Sequence, residues 1–89
     1  MRQRTVRIPN RLGLHARAAA RFVHAASRFG SRIRVTREDR TTDGKSILGI
    51  LLLAAARGVS LRIVAQGEDE EEAVTALAAL VESGFGEAP

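Results

Sequence analysis

The chain is organised by two alternating rhythms. Apolar residues at every second position mark short extended runs, and apolar residues at three- and four-residue steps mark helices. Gln3 to Ile8 reads as a strand with Val6 and Ile8 facing inward, ended by Pro9 and Asn10. From Ala16 to about Arg28 the pattern turns helical, with Ala16, Ala19, Ala20, Phe22, Val23 and Ala26 on an apolar side. Arg17, Arg21, His24 and Arg28 share one polar face of that helix, and Gly30 is placed to close it. Arg32 to Thr36 alternates cleanly around Ile33 and Val35, and Thr41 to Asp43 suits a short return strand.

Ser46 then opens a second helix to about Ala56, closed by Gly58. Val59 to Gln66 is the best strand, apolar at Leu61, Ile63 and Ala65. Asp69 to about Glu82 forms a third helix that buries Val74, Leu77, Leu80 and Val81, with acids in its first turn where the helix dipole favours them. Gly84 stops it, and the last few residues are expected to fray. The order β-α-β-β-α-β-α predicts two layers: a mostly antiparallel four-stranded sheet with helices on one face. No repeat, linker or low-complexity segment interrupts it, so one domain over 1–89 is expected.

Composition narrows the chemistry. Without cysteine there is no disulfide framework, thiolate metal site or thiol nucleophile, which suits a reducing compartment. The start, MRQRTVRIPN, lacks a secretory pattern, and the longest apolar stretch, Ile47 to Ala56, is about half of the ~20 residues a membrane helix needs. A cytoplasmic protein with no membrane association is expected. The net charge of +4 is unevenly spread: no acid precedes Glu38, while ten arginines lie between Arg2 and Arg37. Such a half attracts anions. With three Phe and no Tyr or Trp, stacking on single-stranded nucleic acid is poorly equipped, and nucleic acid is not the expected partner.

The heptad GLHARAA, residues 13–19, holds the most pointed candidate. His15 falls at or beside a helix N-cap, where the first N–H groups lack acceptors and the dipole is positive. A phosphoryl group on its ring can fold back onto the N–H groups of Ala16, Arg17 and Ala18, with the Arg17 fork beside it. Histidine side chains titrate near ~6.5, so a large share is unprotonated and nucleophilic at neutral pH. On spacing alone a second reading stands: His15 as a turn residue and Arg17 as a solvated charge. Other constellations are missing. His15 and His24 are not at the i, i+4 spacing of a zinc pair, and Gly44-Lys45-Ser46 lacks the upstream glycine of a nucleotide-binding loop. Neither a metal nor a cofactor is expected.

DGKSILGILLL, residues 43–53, is apolar nearly all round, more than a helix in a small domain can bury. About half of these residues suit a wide core stripe, and the rest suit a docking surface. Ser46 is a good N-cap, its plain structural role.

GLHARAA followed about thirty residues later by DGKSILGI, with GEDEEEAV opening the last helix, resembles the histidine-containing phosphocarrier (HPr) family of the bacterial phosphoenolpyruvate-dependent sugar phosphotransferase system. The resemblance covers the whole chain. It implies an open-faced β-sandwich with three helices on one side of the sheet. It implies that His15 accepts a phosphoryl group on Nδ1 from enzyme I and passes it to enzyme IIA domains, with Arg17 steadying the phosphate. Ser46 matches the serine modified in many bacteria by an HPr kinase/phosphorylase. Ile47, Leu48 and Leu51 match docking positions, to which Leu52 and the first-helix residues Ala16, Ala20, Arg21 and His24 are added as partner-binding candidates. The alternative is a regulatory module, controlled at Ser46 and acting with a transcriptional regulator, without a transport role. The chain is expected to be a monomer and a carrier rather than a free-standing enzyme. It departs from the family at Ala18, where proline is usual.

Overall fold

A computed structural model describes residues 1–87. Four strands form one antiparallel sheet: β1 Arg2–Arg7, β2 Arg32–Arg37, β3 Arg40–Asp43 and β4 Ser60–Gln66, in the order β1-β4-β2-β3. Three helices, α1 Ala16–Ala26, α2 Ile47–Leu52 and α3 Glu70–Glu82, complete the fold. The period-two pattern decides which face they cover. Val6, Ile33, Val35, Leu61, Ile63 and Ala65 are buried, and they pack with Phe22, Ile50, Leu77 and Val81 from the helices. The other face of the sheet is open, as the sequence led us to expect.

Side chains tie the corners. The Asp69 carboxylate accepts from the Gly30 N–H at 2.9 Å, from the Ser31 N–H at 3.0 Å and from the Ser31 hydroxyl, joining the α1–β2 turn to the start of α3. These bonds, the Ser31 hydroxyl foremost, hold its carboxyl below the usual aspartate range despite some desolvation. Gly49 lets α2 lie directly on β3, since a Cβ there would come within 1.9 Å of Thr42 Oγ1.

Four sequence expectations need correction. The second helix ends at Leu52, not near Ala56. Ala54 turns left-handed at φ +51°, and Arg37 and Arg40 take the carbonyls of Leu52, Leu53 and Ala54, so the chain leaves the helix before Gly58 is reached. The first helix is capped at Ser27, which leaves Gly30 and Arg28 beyond it. Its buried side is Ala18, Ala19, Phe22 and Ala26; Ala16 and Ala20 are exposed. Finally, residues 83–87 fold back after α3 instead of fraying. Gly84–Gly86 form a 3₁₀ turn whose Phe85 side chain is 1% exposed. Residues 88 and 89, also covered by that expectation, lie outside the described ones.

Candidate functional site

Residues 10 to 15 shape the entry to α1. Asn10 is buried, and its Nδ2 donates to Gly13 O at 2.8 Å and to Glu87 Oε1 at 2.9 Å. Both partners are acceptors, which settles the sense of the amide: turned over, it would set oxygen against oxygen. Gly13 has φ +66°, and a Cβ there would meet Ala55 O at 2.6 Å, so the heptad's glycine is demanded twice. Leu14 N–H donates to that same Ala55 carbonyl at 2.8 Å.

His15 is the N-cap of α1, with extended backbone at φ −75° and ψ 178°. Its Nδ1 accepts from Arg17 N–H at 3.3 Å, and its Nε2 lies 2.5 Å from Glu87 Oε2. The two contacts together define the ring. A backbone N–H can only donate and a carboxylate can only accept, so the hydrogen sits on Nε2 and the lone pair on Nδ1 points at the helix start. Among the described residues, the N–H groups of Ala16 and Ala18 have no protein acceptor and face no competing bond. Ala18 is fully buried, backbone as well as side chain, beneath the start of the helix. The N–H that a proline would remove is present.

Glu87 was invisible in the sequence, seventy-two residues from its partner. Partial burial pushes its carboxyl up, but hydrogen bonds from Asn10 and His15, with attraction to the Arg21 charge and to the His15 ring whenever that is protonated, outweigh this and hold it below the usual glutamate range. The 84–87 turn carries it into place. Phe85 adopts φ +59°, a left-handed conformation that costs a non-glycine residue roughly 1–3 kcal/mol. Burying its ring returns about 1.5–3 kcal/mol, and Arg21 Nη1 adds a bond to Phe85 O at 2.5 Å.

Ser46 caps α2, its Oγ accepting from Gly49 N–H at 3.0 Å. The helix packs beside α1 and leaves Ile47 46%, Leu48 63% and Leu52 62% exposed. Leu51 is turned partly inward against the core. On α1 the expected Ala16, Arg17, Ala20, Arg21 and His24 are all exposed. Arg21, however, is committed to Phe85 O. Leu12, 69% exposed on the loop before His15, is a further exposed apolar side chain and was missed for want of any periodic pattern.

A histidine held by a carboxylate at a helix start, on a four-stranded open sheet with three helices, is an arrangement shared with small phosphocarrier proteins. A sequence model described as the PTS HPr component phosphorylation site matches residues 2–83. The phosphocarrier protein HPr of Neisseria meningitidis is 45% identical over 87 residues, 98% of each chain. That of Pseudomonas aeruginosa is 46% identical over 83 residues, 92% of each. Among solved structures, HPr-C-His from Thermoanaerobacter tengcongensis superposes with a TM-score of 0.96 at 46% identity over the whole of both chains. The Bacillus subtilis catabolite repression protein Crh does so with a TM-score of 0.76 at 41% identity, over 93% of this chain and 95% of that one. The chain belongs to the HPr family of phosphocarrier proteins.

Proposed function

We propose that this chain carries a phosphoryl group on His15 Nδ1, taken from phosphorylated enzyme I and passed to enzyme IIA domains. The lone pair of Nδ1, unprotonated because the proton sits on Nε2, gives up the Arg17 N–H and attacks phosphorus in line as the donor's bond to it breaks. The His15 ring gains positive charge as the new N–P bond forms, and the Glu87 carboxylate meets that charge at Nε2. The phosphoryl oxygens fall to the N–H groups of the exposed Ala16 and Arg17 and to the Arg17 guanidinium, which no other side chain holds among the described residues, while Ala18, expected as a third donor, lies fully buried behind them. Onward transfer reverses the step: the N–P bond breaks and the ring leaves as neutral imidazole, its Nε2–H still donated to the Glu87 carboxylate.

Partners meet the exposed face of α1 and α2, where Ile47, Leu48 and Leu52 supply apolar contact and His24 and Arg17 suit an acidic rim. The observation that carries this reading is the orientation of His15, Nδ1 to the helix and Nε2 to a carboxylate. The test is relay. Phosphoenolpyruvate, enzyme I and an enzyme IIA domain are incubated with wild type or His15→Ala, and phosphate on the IIA domain is measured. Transfer by the wild type alone supports the carrier role.

A second reading is favoured by the likeness to Crh: regulation at Ser46 by an HPr kinase/phosphorylase, with a transcriptional regulator as partner and no transport role. Wild-type relay that survives Ser46→Ala but not His15→Ala rejects it as the sole function.

A further inference from the structure

Thirteen of the fourteen basic residues are arginine, an abundance that phosphotransfer at His15 does not use. Several have structural partners: Arg2 lies near Glu70, and Arg21, Arg37 and Arg40 bond backbone carbonyls. Four others stand apart on the open face of the sheet. The pairing places Arg7 opposite Ser60, Arg62 opposite both Thr5 and Thr36, and Arg34 opposite Val64. Arg7, Arg62 and Arg34 therefore step diagonally across β1, β4 and β2, one residue pair further along at each strand. Arg32 continues the line along β2. Each diagonal step spans about 7–8 Å, and all four side chains are exposed. Among the described residues no ion pair or hydrogen bond ties any of the four guanidinium groups. The one carboxylate among the strand residues of this face, Asp43, stands directly across from Arg34 on β3, forms no ion pair with it, and accepts from Lys45 N–H.

We infer that this stripe binds the sugar–phosphate backbone of double-stranded nucleic acid, without reading its sequence. A line of cations matches a linear polyanion better than a bilayer, and adjacent phosphates of a strand are separated by distances like the diagonal steps. Arginine forks pair with phosphate oxygens. The flanking side chains Gln3, Thr5, Thr36, Ser60 and Gln66 are the neutral hydrogen-bonding kind that meets phosphate and sugar. Among the described strand residues of this face Val64 alone is apolar, so the dry centre a protein interface needs is missing. The shortage of aromatics that argued against single strands confines the contact to the backbone. Because the helices cover the opposite face, His15 and the exposed apolar residues of α2 stay accessible while the stripe is occupied.

The test is fluorescence anisotropy with a labelled DNA duplex of random sequence across a sodium chloride titration. Four phosphate contacts give a slope of log K against log salt near about −3.6. Arg34→Gln/Arg62→Gln, on exposed positions that spare the core, brings the slope to about −1.8. Arg11→Gln/Arg57→Gln removes the same charge off the stripe and leaves the slope at the wild-type value. No binding at low salt, or equal losses in the two double variants, overturns the inference. So does tighter binding to phosphatidylserine vesicles than to the duplex at matched salt.

Discussion

Glu87 Oε2 sits 2.5 Å from His15 Nε2, so a residue beyond the last helix sets which nitrogen of the ring carries the proton. Removing it in Glu87→Ala lets the Nδ1–H form compete, and phosphorylation by enzyme I is expected to slow by roughly tenfold, as for other carboxylates that orient a histidine. Nitrogen chemical shifts of the ring check the cause: the Nε2–H form dominates in wild type and loses population in Glu87→Ala. An unchanged tautomer would make Glu87 an incidental neighbour.

The same contact has a pH signature. The folded Glu87 carboxyl titrates below its ordinary value of 4.5, so the folded state binds fewer protons than the unfolded chain in that window. The anchor is present above 4.5 and is lost as pH falls through the lowered folded value. Amide shifts of Phe85 and Gly86 are expected to hold steady from neutral pH down to that range and to move only below it. A transition at higher pH contradicts the assignment.

Phe85→Ala tests whether the 84–87 turn is built or incidental. Truncating a buried phenylalanine costs about 3–5 kcal/mol, partly offset here by relief of the left-handed backbone. Urea unfolding is expected to show a loss of roughly 3 kcal/mol. A midpoint equal to the wild type's would mean the turn contributes nothing.

Ser46 has a structural role that any regulatory role must share. Ser46→Ala removes the cap of α2 and is expected to cost about 1 kcal/mol. Ser46→Asp keeps a capping oxygen, so its stability should stay near wild type while it adds negative charge beside Ile47 and Leu48. Titration calorimetry with enzyme I should then show weaker binding for Ser46→Asp than for Ser46→Ala. The reverse order removes the charge argument.

What the sequence showed and what it hid divide along contact range. The entry to α1 was legible because Gly13, His15 and the apolar period are local signals. The strands were legible because Ile33, Val35, Leu61 and Ile63 alternate. Ala16 and Ala20 were misassigned to the apolar side, and the buried Ala18 was passed over, because alanines weigh little in such a pattern and packing against the sheet settled the difference. The end of α2 depended on Arg37 and Arg40 reaching across from β2 and β3. Glu87 and the arginine diagonal needed the tertiary structure itself: one spans the chain, and the other exists only once strand register is set.

The most direct test of the carrier role is intact mass after incubation with phosphoenolpyruvate and an enzyme I known to work on another carrier. One acid-labile phosphoryl group on the wild type and none on His15→Ala is the predicted result. An unmodified wild type, or a modified His15→Ala, contradicts it.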